Sequence, residues 1–260
     1  VGPGELIAVN YQEKKFYQSD ELKKILSQRQ DYSEWNKKTI NLDSILADNQ
    51  ISKPKEAIDH KYYQLAKSFN LSFETLDLIL DPMVKTGQEA TGSMGDDTPL
   101  SVLTERYRGL HSFFKQNFSQ VTNPPIDSLR EQVVMSLKTR LGNLGNITEE
   151  DSEQCNLVLL ESPVLLDQEL ETLKKHLGQL TTEIDCTYDR NDETNFLNEI
   201  QRICSEAEQA VRSGSQHLII SDKNVNKSRI SLPMIFATSA VHSDLIKNNV
   251  RTVTSFSGAS

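Results

Sequence analysis

Apolar and polar positions along the C-terminal half of the chain follow two different periods. Short apolar runs at Leu157–Leu160, Glu183–Thr187, His217–Ser221 and Thr252–Phe256 predict strands. Between them, stretches with apolar residues three and four apart predict helices over Gln168–Leu177, Asp192–Ser213 and Pro233–Asn248. The middle helix would place Phe196, Ile200, Ile203, Ala207, Ala210 and Val211 on one face, with Gly214 as its stop. Pro233 is expected in the first turn of the last helix, behind Ser231 as cap. Strands alternating with helices at this spacing predict right-handed crossovers and a parallel sheet. The expected class is α/β, as a barrel-like or incomplete (β/α) parallel sheet.

The N-terminal half reads as mainly helical. Leu6–Val9 is a short strand candidate after a Gly-Pro-Gly turn, and Asp20 is a candidate cap for a helix over Glu21–Arg29. Asn49–Pro54 reads as a connector, with a soft boundary near residue 40. Helices are expected over His60–Phe69 and then from Ser72, whose stripe is Phe73, Leu76, Ile79, Leu80 and Met83, ended by Gly87. The pair superficially resembles a helix-turn-helix, but Glu74, Asp77 and Asp81 on the second helix would repel phosphate. Residues 86–99 read as loop. A helix over Tyr107–Phe118 would bury Leu110, Phe113, Phe114 and Phe118, and Thr122-Asn123-Pro124-Pro125 breaks it. Asp127 is then a cap for a short helix, Val133–Leu137 a strand, and Gly142–Asn146 a turn-rich loop.

Charge narrows the partners. The 260 residues carry 28 Lys and Arg against 37 Asp and Glu, a net charge of −9. Neither nucleic acid nor an anionic membrane surface is an expected partner of such a chain. Nowhere do 18 apolar residues run together, so no spanning helix is expected. The start, Val1-Gly2-Pro3-Gly4-Glu5, has neither the charged nor the apolar region of a secretory leader. It also lacks an initiator Met, as though taken from something longer. Cys155, Cys186 and Cys204 are too few and too scattered for a disulfide framework, which fits a reducing compartment. No two of the five histidines sit at zinc-ligand spacing, so no metal site is expected.

Candidate chemistry is sparse. Gly92-Ser93-Met94-Gly95-Asp96-Asp97 could bring backbone N–H groups to an anion, yet it follows a helix, fits no phosphate-loop pattern and carries two carboxylates. A structural loop is the plainer reading. Asp222 ends a strand, where parallel α/β folds gather their sites, but the same position is a common loop cap. Cys204 is expected in the core, and His242 as a buried, hydrogen-bonded histidine. No nucleophile elbow or triad order is visible. The residues themselves offer no catalytic, cofactor-binding or metal site.

Longer motifs are more informative. Thr86-Gly87-Gln88-Glu89-Ala90-Thr91-Gly92-Ser93-Met94-Gly95-Asp96-Asp97-Thr98-Pro99-Leu100 closely resembles a hallmark loop of the glutamate synthase large subunit. Phe118-Ser119-Gln120-Val121-Thr122-Asn123-Pro124-Pro125-Ile126-Asp127-Ser128-Leu129-Arg130-Glu131 is similar to a second such run. Ser136-Leu137-Lys138-Thr139, Gly142-Asn143-Leu144-Gly145-Asn146, Ser162-Pro163-Val164-Leu165 and Ala210-Val211-Arg212-Ser213-Gly214-Ser215 fit the same family in the same order. The resemblance runs from about Pro3 to Phe256.

What the resemblance implies is a fragment: residues 1–40 as the tail of a glutamine amidotransferase domain, and 41–260 as most of an α/β, barrel-like central domain. It implies a part in an oxidoreductase of nitrogen metabolism that splits glutamine and channels the ammonia through a tunnel. The enzyme then reductively aminates 2-oxoglutarate to a second glutamate. FMN and an iron–sulfur cluster belong to segments absent here, and the fragment alone is expected to be non-catalytic. Implied partners are the amidotransferase and FMN-binding domains of the same polypeptide, and ferredoxin or an NADPH-oxidising subunit as electron donor. The implied compartment is the cytoplasm, or the plastid stroma in a photosynthetic eukaryote. By the same resemblance Met94, Thr122 and Asn123 would line part of the tunnel; otherwise Thr122 and Asn123 only shape the turn before two prolines. After Phe256 the family would continue into another strand and helix, whereas Ser257-Gly258-Ala259-Ser260 reads like a truncation. The alternative from another class is a stand-alone binding or regulatory module derived from this domain.

Overall fold

The computed structural model describes residues 2–47, 60–69, 71–87, 135–191 and 196–259, with positions 90, 102, 103 and 105 in isolation. Two compact units are defined by contacts, Val1–Ile51 together with Ser136–Ser260, and Ser52–Met135.

The first unit opens with a hairpin. β1 (Ala8–Asn10) pairs antiparallel with β2 (Lys15–Tyr17). Asn10 Oδ1 accepts the N–H groups of Gln12 and Glu13, and Lys14 takes φ +50°, which turns the chain. The strand expected at Leu6–Val9 is therefore shifted, and its partner lies in a run too polar to signal a strand. The following helix is Ser19–Ser27, so Asp20 sits in its first turn rather than at its cap, which is Gln18. A short helix, Tyr32–Asn36, then starts from Asp31, whose side chain accepts from Glu34 N.

β3 (Ile40–Asn41) and the helix Leu42–Ala47 follow. β3 lies parallel to β5 (Leu157–Leu160), and β4 (Thr139–Gly142) lies antiparallel on its other side. The expected strand at Val133–Leu137 is thus displaced, since its described residues 135–137 stay irregular. Leu42, Leu141, Val158, Leu160 and Leu173 form a shared core. The loop after β4 is capped by Asn143 Oδ1, which accepts Gly145 N at 2.7 Å.

The remaining strands are β6 (Thr181–Asp185), β7 (Thr187–Asp189), β8 (His217–Ser221), β9 (Arg229–Ser231) and β10 (Ser255–Ala259). β6, β8 and β10 make a parallel sheet with β8 central. All five residues of β8 are buried, as a near-continuous apolar run covered on both faces requires. Leu218 and Ile220 meet the helices Phe196–Arg212 and Met234–Lys247, through Ile203, Ala207, Val241 and Leu245. Ile219 points the other way, against Leu170 of the helix Asp167–Leu177 and against Ala259. Gly214, at φ +104°, terminates Phe196–Arg212 as expected.

Three expected elements are corrected here. The run Glu183–Thr187 is split at Cys186, whose N–H donates to Ser221 O and whose carbonyl accepts from Leu232 N. The chain leaves the parallel sheet at that residue and enters an antiparallel pair, β7 with β9. Ser231 is a strand residue, not a cap; Pro233 holds the cap position of Met234–Lys247. The last strand begins at Ser255 rather than Thr252, and Ser257, Gly258 and Ala259 pair with Ile219, Ile220 and Ser221. The described strands fall into four small sheets and do not close a barrel.

In the second unit, the helix His60–Ser68 is followed by Ser72, whose Oγ accepts Thr75 N at 3.1 Å. The next helix is not uniform. Leu76–Leu80 forms a wide π turn before Asp81–Thr86, and Gly87 ends it at φ +65°. Pro82 supplies the reason, because its ring would press on the carbonyl four residues back in a regular helix, and the wider turn relieves that contact. The expected stripe of Phe73, Leu76, Ile79, Leu80 and Met83 stays exposed.

Gly142 is held by steric fit. Its φ is +137°, and a Cβ there would lie 2.8 Å from Leu157 Cδ2 and 3.1 Å from Asn156 O. Gly214 shares the positive φ but has nothing within 4 Å. Gly142→Ala is expected to destabilise the polypeptide by about 2–3 kcal/mol, and Gly214→Ala by less. Denaturant midpoints of the two variants check the order.

Candidate functional site

In an open α/β sheet, ligands are met at the carboxyl ends of the strands. Here that edge carries Asp185 at the end of β6 and Asp222 just after β8. Both carboxylates are engaged by the chain itself. Asp185 Oδ1 accepts Thr187 N at 2.8 Å and Thr187 Oγ1 at 2.7 Å, while Oδ2 accepts Asn224 Nδ2 at 3.1 Å and Arg229 Nη2 at 3.2 Å. Arg229 also donates from Nε to Thr187 Oγ1 and from Nη2 to Thr187 O, each at 2.7 Å. Asp222 is 2% exposed. Its N–H donates to Ala259 O at 3.0 Å, and its Oδ2 lies 3.2 Å from Ser231 Oγ.

The chemistry follows from these contacts. Burial opposes the Asp185 carboxylate, but Thr187, Asn224 and Arg229 outweigh it and hold its pKa below the usual range. A general base for neutral pH needs a pKa near the working pH, so Asp185 is a poor one. An incoming phosphate would meet two carboxylates, and the N–H groups of Cys186, Thr187 and Asp222 are already bonded. The antiparallel β7–β9 pair therefore holds the strand ends together by its own side chains. No sequence pattern announced that arrangement, since Asp185, Thr187 and Arg229 meet only through the β7–β9 register.

The opposite end of the sheet holds a buried polar group that sequence reasoning passed over. His217, the first residue of β8, is 1% exposed. Its Nδ1 lies 2.8 Å from Ser255 Oγ, which also accepts Gly142 N at 2.9 Å. Leu144 N donates to Thr252 O at 3.0 Å, so the segment after β4 is tied to the turn that leads into β10. Burial alone pushes the His217 pKa down to about 4. The apolar run Leu218–Ile220 was the available signal that this histidine would be enclosed.

The other sequence candidates are placed apart. Cys186 is fully buried and burial pushes its thiol up to about 12; Cys204 packs beside the core and is pushed up to about 11. Neither is a ready thiolate, which nucleophiles and cluster ligands must be. Among the described residues no three His, Cys, Asp or Glu gather as metal ligands. His242 is exposed rather than buried, and its Nδ1 accepts from Arg251 Nε at 2.9 Å. Met94, Thr122 and Asn123, with the Gly92–Asp97 loop and the helix over Tyr107–Phe118, lie outside the described residues. No described helix is long and apolar enough to cross a membrane.

The fold and this edge define a mixed α/β segment whose parallel sheet closes on its own polar residues. The glutamate synthase central domain family matches residues 64–258, and the chain belongs to that family. It is 47% identical over 257 residues to the glutamate synthase [NADPH] large chain of Azospirillum brasilense, covering 98% of this chain and 17% of that protein. It is 37% identical over 261 residues to the glutamate synthase [NADH] of Saccharomyces cerevisiae, covering 96% of this chain and 12% of that one. With the chloroplastic ferredoxin-dependent glutamate synthase of Spinacia oleracea, identity is 36% over 259 residues, covering 98% and 16%. The chain spans less than a fifth of the length of each of these relatives.

His217 makes acid stability a measurable property of the sheet. An unfolded histidine titrates near 6.5, the folded one near 4, so between these values the unfolded state binds more protons. Stability from this group is complete above about pH 6.5 and falls as pH drops toward 4, by on the order of 3 kcal/mol in all. His217→Gln should flatten this dependence, which denaturation at pH 7 and pH 4.5 checks.

Proposed function

We propose that the chain is an internal segment of a glutamate synthase large chain. Residues 1–40 would be the tail of its glutamine amidotransferase domain and 41–260 its central domain, part of a barrel-like body. The segment joins the glutaminase to the domain that binds FMN and 2-oxoglutarate, and it contributes to glutamate formation from glutamine without supplying a catalytic group. The observation that carries this reading is collinear likeness, at 47% identity, over 98% of the chain. FMN and the iron–sulfur cluster belong to other segments of the polypeptide. Its reductant is ferredoxin or a nicotinamide nucleotide, the donors in the names of the relatives. The enzyme works in the cytoplasm, or in the plastid stroma of a photosynthetic eukaryote.

Within this role Met94, Thr122 and Asn123 line part of the ammonia path. The cargo must remain neutral NH₃, so its walls should offer hydrogen bonds without a proton to give. A hydroxyl and an amide meet that demand, whereas an acidic neighbour would stabilise ammonium. Met94 has three rotatable bonds and no strong polar atom, so it can block or clear a narrow passage.

An antibody to this segment should detect a polypeptide several times larger than 29.4 kDa in the source cell. A band at 29.4 kDa would instead favour a stand-alone module. In the full-length enzyme, Met94→Trp is expected to slow glutamine-dependent synthesis at least about tenfold while leaving glutaminase turnover nearly intact, a barrier of about 1.4 kcal/mol. Unchanged rates of both reactions would remove the tunnel role.

A further inference from the structure

One row of side chains across the parallel sheet is polar in an enclosed setting. In the register of the three strands, Thr181 of β6 stands beside His217 of β8, and His217 beside Ser255 of β10. Partners in register share a face of the sheet, the face on which Ile219 packs against Leu170 and Ala259. Ser255 Oγ is fully used there. It meets Gly142 N at 2.9 Å, His217 Nδ1 at 2.8 Å and Gln216 O at 3.2 Å. On the opposite face, Thr182 Oγ1 lies 2.5 Å from Ser215 Oγ.

Two atoms of the row depart from this economy. His217 Nε2 and Thr181 Oγ1 are both buried, and neither has a hydrogen-bond partner among the described residues. Native structures rarely leave a buried donor or acceptor unmet, because its lost hydration is not replaced. The two nitrogens of an imidazole point in roughly opposite directions. With Nδ1 turned to Ser255 on β10, Nε2 is turned away from β10, to the side of β6 where Thr181 stands.

The chemistry of the two atoms defines what fits between them. His217 is 1% exposed and burial pushes its pKa down to about 4, so at neutral pH the ring is uncharged and carries one proton. If the Ser255 hydroxyl gives its proton to Gln216 O, Nδ1 holds the ring proton and Nε2 needs a donor. If Ser255 gives it to Nδ1 instead, Nε2 holds the proton and needs an acceptor. Thr181 Oγ1 can give or take in either case. An occupant that serves both atoms is therefore small, neutral and able to donate and accept at once. A cation would find no carboxylate here, and an anion no positive charge.

We propose that one internal water molecule is held between His217 Nε2 and Thr181 Oγ1, bridging β6 to β8. Folded proteins keep roughly one buried water per 27 residues, bonded to polar groups that the chain itself leaves unmet. With it the row becomes one chain of hydrogen bonds, from Thr181 through His217 and Ser255 to Gly142 N and the segment after β4. Its place is set by the sheet, whatever polypeptide carries the segment.

A crystal structure of the native polypeptide that carries this segment, at a resolution that shows ordered solvent, tests the proposal. The expected result is one solvent peak within about 2.7–3.2 Å of both His217 Nε2 and Thr181 Oγ1. Thr181→Val keeps the side-chain shape and should lose the peak, whereas Thr181→Ser should retain it. A direct bond between the two side chains overturns the proposal, as does another side chain of the polypeptide bonded to Nε2. So does the lack of any peak, a contact at the metal–nitrogen distance of about 2.0–2.1 Å, or a peak that stays unmoved in Thr181→Val. If Thr181→Val does not fold, the density of the unsubstituted protein decides alone.

Discussion

Burial of β8 on both faces is the constraint from which the described C-terminal architecture follows. A strand whose five residues are all enclosed needs a parallel neighbour on each side and a helix layer above and below. Leu218 and Ile220 recruit Phe196–Arg212 and Met234–Lys247, and Ile219 recruits Asp167–Leu177. The last of these helices needs more than Leu170 to stay in place. Lys174 reaches Glu183 at 2.7 Å and Lys223 reaches Asp167 at 2.6 Å, clipping it over a sheet face that also carries Thr181, Glu183, Ser255 and Ser257. Exposed pairs of this sort stabilise by only about 0–1 kcal/mol each, so they orient the helix more than they hold it.

The same constraint bears on function. An α/β sheet of this kind would ordinarily leave its strand ends open to a ligand, but here Cys186 diverts the chain into a second, antiparallel pair. Asp185, Thr187 and Arg229 then satisfy one another at that edge. The described polar groups at that edge therefore bond one another rather than facing an open site.

Much of this was legible in the sequence where period and length agreed. Leu157–Leu160 and His217–Ser221 are strands at the predicted limits, and Gln168–Leu177 needed only Asp167 added. Ser72 and Gly87 bounded their helix as capping chemistry dictates. The misses have physical causes. Lys15–Tyr17 forms a strand because Asn10 turns the chain back, a local hydrogen bond that a Lys- and Glu-rich run conceals. Glu183–Thr187 looked continuous because hydropathy does not record a change of pairing partner at Cys186. His242 looked buried because Ile235, Phe236 and Ile246 add apolar residues outside the core stripe of its helix, and periodicity alone could not tell that stripe from the exposed side. The family resemblance carried by long runs was legible before any geometry, and the family match upholds it. Met94, Thr122 and Asn123 fall outside the described residues, so their role rests on that resemblance.

The extent of β10 has a bearing on where a polypeptide of this family can be divided. Only Ser255 and Phe256 precede the point at which the familiar motif ends, and three of the five rungs with β8 are made by Ser257, Gly258 and Ala259. Ala259 also seats against Ile219 and Leu170, and its carbonyl receives Asp222 N. Trimming at Phe256 would therefore unzip the outer strand, bare the polar edge it closes and loosen the helix packed beneath it. A boundary chosen by motif similarity alone would cut through the sheet, whereas one drawn a few residues later leaves the ladder whole.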